Sequence, residues 1–156
     1  MSTDVNKSNQ LSKEKIMEGR GCAGFNLKMA TRAVQNYFDK AYRKIGLEGT
    51  QYTVLSHIYV VGPIPLSKLA ELMYVDRTTL GRNLKPLEKR ELIEIKAGKD
   101  KREKLIAITE NGKEVLAKAL PVWKQTHEQI KTILGIDNWE SMLENLRTLT
   151  TELKEK

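Results

Sequence analysis

Hydroxyl and cationic side chains share one face of a helix that the sequence predicts from Asp76 onward. Leu80, Leu84 and Leu87 recur at helical spacing and mark the buried face of that helix. With about 100° between successive residues, the opposite face is free of acids. That face carries Thr78, Arg82, Lys85 and Lys89, with Thr79 and Gly81 beside them. It can donate hydrogen bonds to an anionic partner, and the plainer alternative is a solvated helix surface.

A second cluster of charges lies further along the chain, between two short apolar stretches. Lys99, Asp100, Lys101 and Arg102 form the predicted tip of a β-hairpin. Asp100 is placed to orient Arg102, or a cation of the helix, through a charge-assisted hydrogen bond. The major groove of duplex DNA admits one helix, and a charged loop beside that helix can enter a minor groove. Duplex DNA is therefore the anion that this arrangement favours.

The candidate DNA contacts lie on three adjoining segments of the chain. The first short helix contributes Ser67 and Lys68. The helix that follows it contributes Arg77, Thr78, Thr79, Arg82, Asn83, Lys85 and Lys89, and the hairpin tip contributes Lys99, Asp100, Lys101 and Arg102. For the tip, the alternative is an exposed basic turn that adds little to stability.

The elements that must hold these side chains are mainly helices. A long helix spans the apolar pattern between Cys22 and Ile45, in which an apolar residue recurs every four positions. Thr50 is the predicted N-cap of a second helix. The core face of that second helix is predicted to carry Tyr52, Leu55, Ile58 and Tyr59.

Two short helices follow, over residues 66–73 and 76–89, with only Tyr74 and Val75 between them. So tight a connection favours a helix-turn-helix. A β-hairpin is predicted over residues 92–97 and 104–109. Two further helices complete the chain, one beginning after Thr109 and the last capped by Asp137. The predicted fold is mainly α with a small β-hairpin.

The segment from Leu66 to Gly112 resembles the multiple-antibiotic-resistance regulator (MarR) family of winged-helix repressors. The motifs that carry the resemblance are residues 76–80, which open the second short helix, residues 87–93, which close it, the Asp100-Lys101-Arg102 tip, and residues 108–112. It extends over residues 33–55 and 117–123. The resemblance implies a homodimeric transcriptional regulator, in most members a repressor, on a palindromic operator.

The resemblance also divides the chain into parts with separate roles. It implies helix 76–89 in the major groove, with Thr78 and Arg82 as readers, and wing 98–102 in the minor groove, with Arg102 as reader. The expected parts are a dimerisation helix at 22–48, a winged helix-turn-helix at 49–109 and C-terminal dimerisation helices at 110–156. The polar, Lys/Asn/Ser-rich composition of residues 1–21, rather than the resemblance, predicts a flexible arm there. Glu91, where the family usually has glycine, and Ile95, where an arginine is common, depart from the pattern.

Composition restricts the other classes of function. The chain has 156 residues, a formal charge of +7 and one cysteine. No apolar run reaches the roughly 20 residues of a membrane span, so we expect a cytoplasmic protein. Phosphate-loop and nucleophile-elbow motifs are missing from the sequence, and its two histidines have no zinc spacing, so we expect neither an enzyme nor a cofactor. An architectural DNA-binding protein with little sequence preference is the alternative to a sequence-specific regulator.

Regulation of this protein by a ligand or by oxidation is a further possibility that the family resemblance raises. A small phenolic or other anionic effector would bind a pocket whose candidate residues are Tyr37, Tyr52, His57 and Trp123, although core packing is the role the sequence favours for each of them.

Cys22 is a candidate redox sensor near a helix start, with Arg20 and Lys28 nearby. A passive free thiol is the alternative that the sequence favours.

Overall fold

The computed structural model describes residues 12–98 and 104–154 of the chain. Helices dominate it, and their bounds are α1 (Lys13–Glu18), α2 (Ala23–Tyr42), α3 (Gly49–Val61), α4 (Leu66–Leu72), α5 (Arg77–Lys89), α6 (Glu110–Leu134) and α7 (Ile136–Lys154). Three short strands accompany them, β1 (Ile64–Pro65), β2 (Ile93–Ala97) and β3 (Lys104–Ile108), with 3-10 turns at Gly19–Gly21 and Arg43–Ile45. The predicted fold class, mainly α with a β-hairpin, is confirmed.

The chain divides into two compact units, residues 1–36 and residues 37–156. The described part of the first unit consists of α1, a 3-10 turn and the first residues of α2. The second unit contains the end of α2 and every later helix and strand. It therefore holds the whole helix-turn-helix and the hairpin.

The strands form one antiparallel sheet in the order β1-β3-β2. Ile106 of β3 is the centre of the sheet, because it pairs with Ile64 on one side and Ile95 on the other. The Ile106 side chain is buried, so the sheet packs on the core through this residue. The hairpin is thereby fixed at its base to the helical domain.

The core lies between α3, α5, α6 and the sheet. Leu80, Leu84 and Leu87 are all buried in it, which confirms the stripe predicted for α5. On α3 the buried residues are Val54, Leu55 and Ile58. The prediction of Tyr59 as a core residue is wrong, because Tyr59 is 56% exposed. Polar residues such as Thr53, Ser56 and His57 are intermixed with apolar ones around α3, so its periodicity does not select a face.

Three other local predictions differ from the structure. Helix α3 begins at Gly49, not after an N-cap at Thr50, because Glu48 and Gln51 form a capping box there. Asp137 lies in the first turn of α7, which starts directly after Gly135, and is not its cap. Strand β1 was not predicted, since two residues are too short to show alternation.

The predicted loose arm is helical over part of its length. Residues 13–18 form α1, and the Ser12 hydroxyl accepts a hydrogen bond from the Lys15 backbone N–H at its start. A local cap of this kind stabilises a short helix without a hydrophobic core. Residues 1–11 of the same arm lie outside the described residues.

Candidate nucleic-acid interface

The start of α5 is determined by Asp76, which is the N-cap residue. Its carboxylate accepts hydrogen bonds from the Thr79 backbone N–H, at 2.8 Å, and from the Thr79 hydroxyl. These bonds, the hydroxyl bond first, lower the pKa of the Asp76 carboxyl below its ordinary value, because they favour the charged form. Thr79, a predicted DNA contact, therefore also holds the first turn of the helix.

The turn between α4 and α5 sets the angle at which α5 is presented. Tyr74 has a φ of 54°, in the left-handed region, and the Val75 N–H donates to the Ala70 carbonyl oxygen over 3.1 Å. Val75 packs against the core, Ala70 of α4 is buried, and α4 contacts α5. A small residue at that position lets the two helices approach closely. The predicted helix-turn-helix is confirmed.

The outward face of α5 has the character that the sequence predicts. Thr78, Arg82, Lys85 and Lys89 are all exposed, on the side opposite the buried leucines. Their groups are hydroxyl and cationic, and each can donate a hydrogen bond to a base edge or a phosphate. The helix N-terminus beside them adds a partial positive charge.

A groove separates this face from the hairpin. Its volume is about 370 Å³, and α5, α4 and the two hairpin strands all contribute to its walls. The lining residues are Leu66, Thr78, Gly81, Arg82, Leu84, Lys85, Glu88, Ile95, Lys104 and Ile106. Aliphatic side chains therefore share the groove with three cationic ones.

Two charged residues of the groove were missed from the sequence. Lys104 opens β3 and is exposed, and Glu88 lies on α5 to the side of the cationic face. The helical spacing could have predicted Glu88, because it belongs to α5 like the cationic residues. The sequence holds no comparable signal for Lys104, since its proximity to α5 depends on how the hairpin packs.

The remaining predicted contacts are spread over the same domain. Arg77 is exposed, Ser67 and Asn83 are half-buried, and the Lys68 ammonium lies 3.2 Å from the Glu71 carboxylate. The predicted wing tip, Lys99, Asp100, Lys101 and Arg102, lies outside the described residues. The structure therefore brings together the α5 residues and the base of the hairpin.

The four candidate pocket residues contact different neighbours. The Tyr37 hydroxyl lies 2.9 Å from Gln129 Oε1, and the Tyr52 ring stacks on Tyr42 at 5.1 Å. Trp123 stacks on His127, and His57 Nδ1 lies 2.7 Å from the Thr53 carbonyl oxygen. Burial raises the pKa of the Tyr52 hydroxyl. A shared effector pocket stays a prediction.

Cys22 lies immediately before α2 and is an exposed, free cysteine. Its carbonyl oxygen accepts from the Asn26 backbone N–H and from Asn26 Nδ2, at 3.1 and 2.9 Å. These bonds engage the Cys22 backbone and leave the role of the thiol open. Redox sensing by Cys22 stays a prediction.

Residues 12–98 and 104–154 contain no candidate metal site and no candidate membrane-spanning helix. No group of three or more His, Cys, Asp or Glu side chains in those ranges could hold a metal ion. No helix in them combines the length and the apolar character that crossing a membrane requires.

Known proteins resemble this chain in sequence and in structure. A family model described as the MarR family matches residues 47–104, from the start of the winged domain to β3. The M. tuberculosis transcriptional regulator MosR, solved in complex with DNA, is 30% identical with a TM-score of 0.78, and the match covers 86% of this chain and 97% of that one.

Two proteins of Bacillus subtilis (strain 168), both named as uncharacterized HTH-type transcriptional regulators, also match. YwoH is 26% identical over 83 residues, or 53% of this chain, and YybA is 35% identical over 88 residues, or 56%. The matched segments span 61% and 59% of those relatives, so the chain matches less than two thirds of their length. The match to MosR, by contrast, extends over nearly the whole of that protein. Together with the winged helix-turn-helix described above, this similarity shows that the chain belongs to the MarR family of transcriptional regulators.

Proposed function

We propose that this protein is a sequence-specific DNA-binding repressor that recognises a palindromic operator as a homodimer. Helix α5 enters the major groove, and the hairpin tip enters the adjacent minor groove. The observation that carries the proposal is the exposed face of Thr78, Arg82, Lys85 and Lys89 on a helix whose opposite side is fully buried. Cationic and hydroxyl groups on a rigid, exposed helix are the groups that read base edges.

The groove between α5 and the hairpin supports the same orientation. When a helix occupies the major groove and a wing occupies the next minor groove, the sugar-phosphate strand between those grooves must cross the space between helix and wing. Lys85, Arg82 and Lys104 line that space with the half-buried Ile95 and the Glu88 carboxylate, so cations outnumber the acid by three to one. Phosphates suit the cations, and deoxyribose carbons suit the exposed part of Ile95.

The comparison with MosR adds independent support. That protein, 30% identical to this chain, was solved in complex with DNA. In this chain the formal charge of +7 would double to +14 in a homodimer, which favours fast association with DNA and an affinity that falls with salt.

The experiment is selection of genomic fragments by the purified chain at physiological salt, followed by footprinting. We expect a protected pseudo-palindrome with half-sites about one helical turn apart. Even protection of unrelated fragments would instead indicate an architectural DNA-binding protein. Transcription from the selected promoter with and without the protein then tests repression.

Two single variants separate base reading from backbone binding. Arg82→Ala should reduce the discrimination between operator and random DNA by about 1–3 kcal/mol, because it removes a base contact. Lys104→Ala should weaken binding to both DNAs equally. It should also reduce the salt slope, which is the steepness with which log affinity falls with log salt concentration, by about 1. Lys118→Ala, at an exposed lysine of α6, is the matched control and should change neither quantity. Loss of affinity for both DNAs in Arg82→Ala, with discrimination unchanged, would contradict direct readout.

A further inference from the structure

Arg90, the residue that follows α5, connects that helix to a distant part of the chain. Its guanidinium Nη1 donates to the Gly46 carbonyl oxygen at 2.9 Å and to Gln51 Oε1 at 3.3 Å. The Arg90 carbonyl oxygen accepts from Asn111 Nδ2, at 3.3 Å, in the first turn of α6. One residue therefore joins the end of α5 to the α2–α3 junction and to the start of α6.

The α2–α3 junction is itself firmly held. Asp39 Oδ1 accepts from the Gly49 N–H at 2.7 Å, and the Leu47 N–H donates to the Tyr42 carbonyl oxygen at 3.2 Å. Tyr42 and Leu47 are both buried. Gln51, which accepts from Arg90, also accepts from the Glu48 N–H in the capping box of α3. Arg90 is thus bound to a junction whose backbone has little freedom.

The contribution of these bonds to stability is expected to be small. Arg90 is exposed, and hydrogen bonds made by an exposed cation compete with water. Their geometric effect is larger, because the buried leucine stripe holds α5 against the core along its length while Arg90 and Asn111 restrain its end. A restraint at one end of a helix limits rotation about its packed face.

We propose that Arg90 is a positioning residue that sets the spacing and angle of the two recognition helices in the dimer. This inference rests on the proposed homodimer and its palindromic operator. Gly46 lies near the end of segment 22–48 and Asn111 near the start of segment 110–156, and these are the segments expected to form that dimer, so Arg90 connects both of them to α5. This link therefore controls the distance between the two operator half-sites that the dimer binds best.

The experiment compares full-length variants on the operator selected by the wild type, on that operator with one base pair inserted or removed at its centre, and on an isolated half-site. The variants are Arg90→Ala, Arg90→Lys and Gln51→Ala. The wild type should lose at least about tenfold in affinity when the spacing changes. Arg90→Ala should reduce that loss several-fold while half-site affinity stays within about twofold. Arg90→Lys should be intermediate, since an ammonium lacks the planar fork of donors.

Arg43→Ala, which removes an exposed arginine of the same junction, is the matched control and should keep the wild-type spacing penalty. Gln51→Ala retains Arg90, so it tests the link even if Arg90→Ala does not fold. An unchanged spacing penalty in the folded Arg90 variants and in Gln51→Ala overturns the inference. A uniform loss on every DNA, with a salt slope lowered by about 1, overturns it in favour of a phosphate contact. If the wild type selects no palindrome, the proposed function itself fails, and this inference fails with it.

Discussion

Glu91 has a side chain that suits its backbone poorly. Its φ is 55°, in the left-handed region, and it lies two residues after the end of α5. The Glu91 N–H donates to the Glu88 carbonyl oxygen, and the Leu92 N–H to that of Leu87, both at 2.9 Å. This C-terminal turn is usually made by glycine, because a Cβ crowds the left-handed conformation. The departure noted in the sequence therefore corresponds to local backbone strain.

Glu91→Gly should stabilise the protein by about 1 kcal/mol, because glycine adopts this conformation without strain. Urea denaturation followed by circular dichroism measures the change. Glu114→Gly, at an exposed position inside α6, is the control and should destabilise by about 1 kcal/mol. A loss of stability in Glu91→Gly would contradict the strain assigned to Glu91.

The Asp76 cap predicts a pH dependence of stability. Hydrogen bonds from Thr79 lower the pKa of the folded carboxyl below its ordinary 3.8, so the stabilisation is present above 3.8. It is lost as the pH falls through the lower pKa of the folded state. The stability difference between wild type and Asp76→Ala, measured by urea titration, should be constant near neutral pH and shrink in acid. The amide oxygen of Asp76→Asn does not titrate, so the stability difference between Asp76→Asn and Asp76→Ala should not shrink in acid.

At the scale of elements, the hairpin and α6 meet at Gly112. A Cβ on this residue would overlap the Leu92 carbonyl oxygen and the Ile108 side chain. Thr109 holds the same corner, since its hydroxyl donates to the Glu91 carbonyl oxygen at 2.6 Å and accepts from the Gly112 N–H at 3.0 Å. The base of the wing is therefore packed directly on the first turn of α6.

Gly112→Ala should destabilise the protein by about 2–3 kcal/mol, because backbone atoms must move to admit the methyl group. Gly81→Ala is the matched control, since nothing lies within 4 Å of its Cβ position inside α5. That control should stabilise by about 1 kcal/mol through helix propensity. Equal effects of the two substitutions in chemical denaturation would show that the contact at Gly112 relaxes freely.

At the scale of the whole molecule, apolar side chains remain exposed on α2, α6 and α7. Phe25 and Met29 of α2 are 57% and 51% exposed, and Ile133 of α6 and Leu153 of α7 are 76% and 68% exposed. Exposed apolar surface on this scale is typical of an interface. It agrees with the proposal that α2, α6 and α7 form the dimer.

Sedimentation equilibrium should therefore give about twice the chain mass of 17.8 kDa at micromolar concentration. Phe25→Glu should shift the protein toward the monomer, because a charge would be buried at the interface. Lys89→Glu, at an exposed polar residue on the predicted DNA face of α5, is the control and should leave the dimer intact. A wild type that sediments as a monomer would refute the dimer.

The amino-acid sequence by itself determined the recognition helix, its buried leucines and its cationic face, because helical periodicity records which side of an element faces the core. It also determined the hairpin and the tight helix-turn-helix, since their signals lie within a few residues. It failed at Tyr59, because polar and apolar residues are intermixed around α3, and it did not predict the helix at residues 13–18, whose first turn is capped by the Ser12 hydroxyl.

Only the tertiary structure decided which remote surfaces meet. Lys104 and Ile95 share a groove with Arg82 because the sheet packs beside α5, and Arg90 reaches Gly46 across 44 residues of chain. Gly112 is required because the Leu92 carbonyl approaches from another element. The physical reason is that local spacing specifies the inward face of each helix or strand. The neighbour it meets depends on the packing of the whole core.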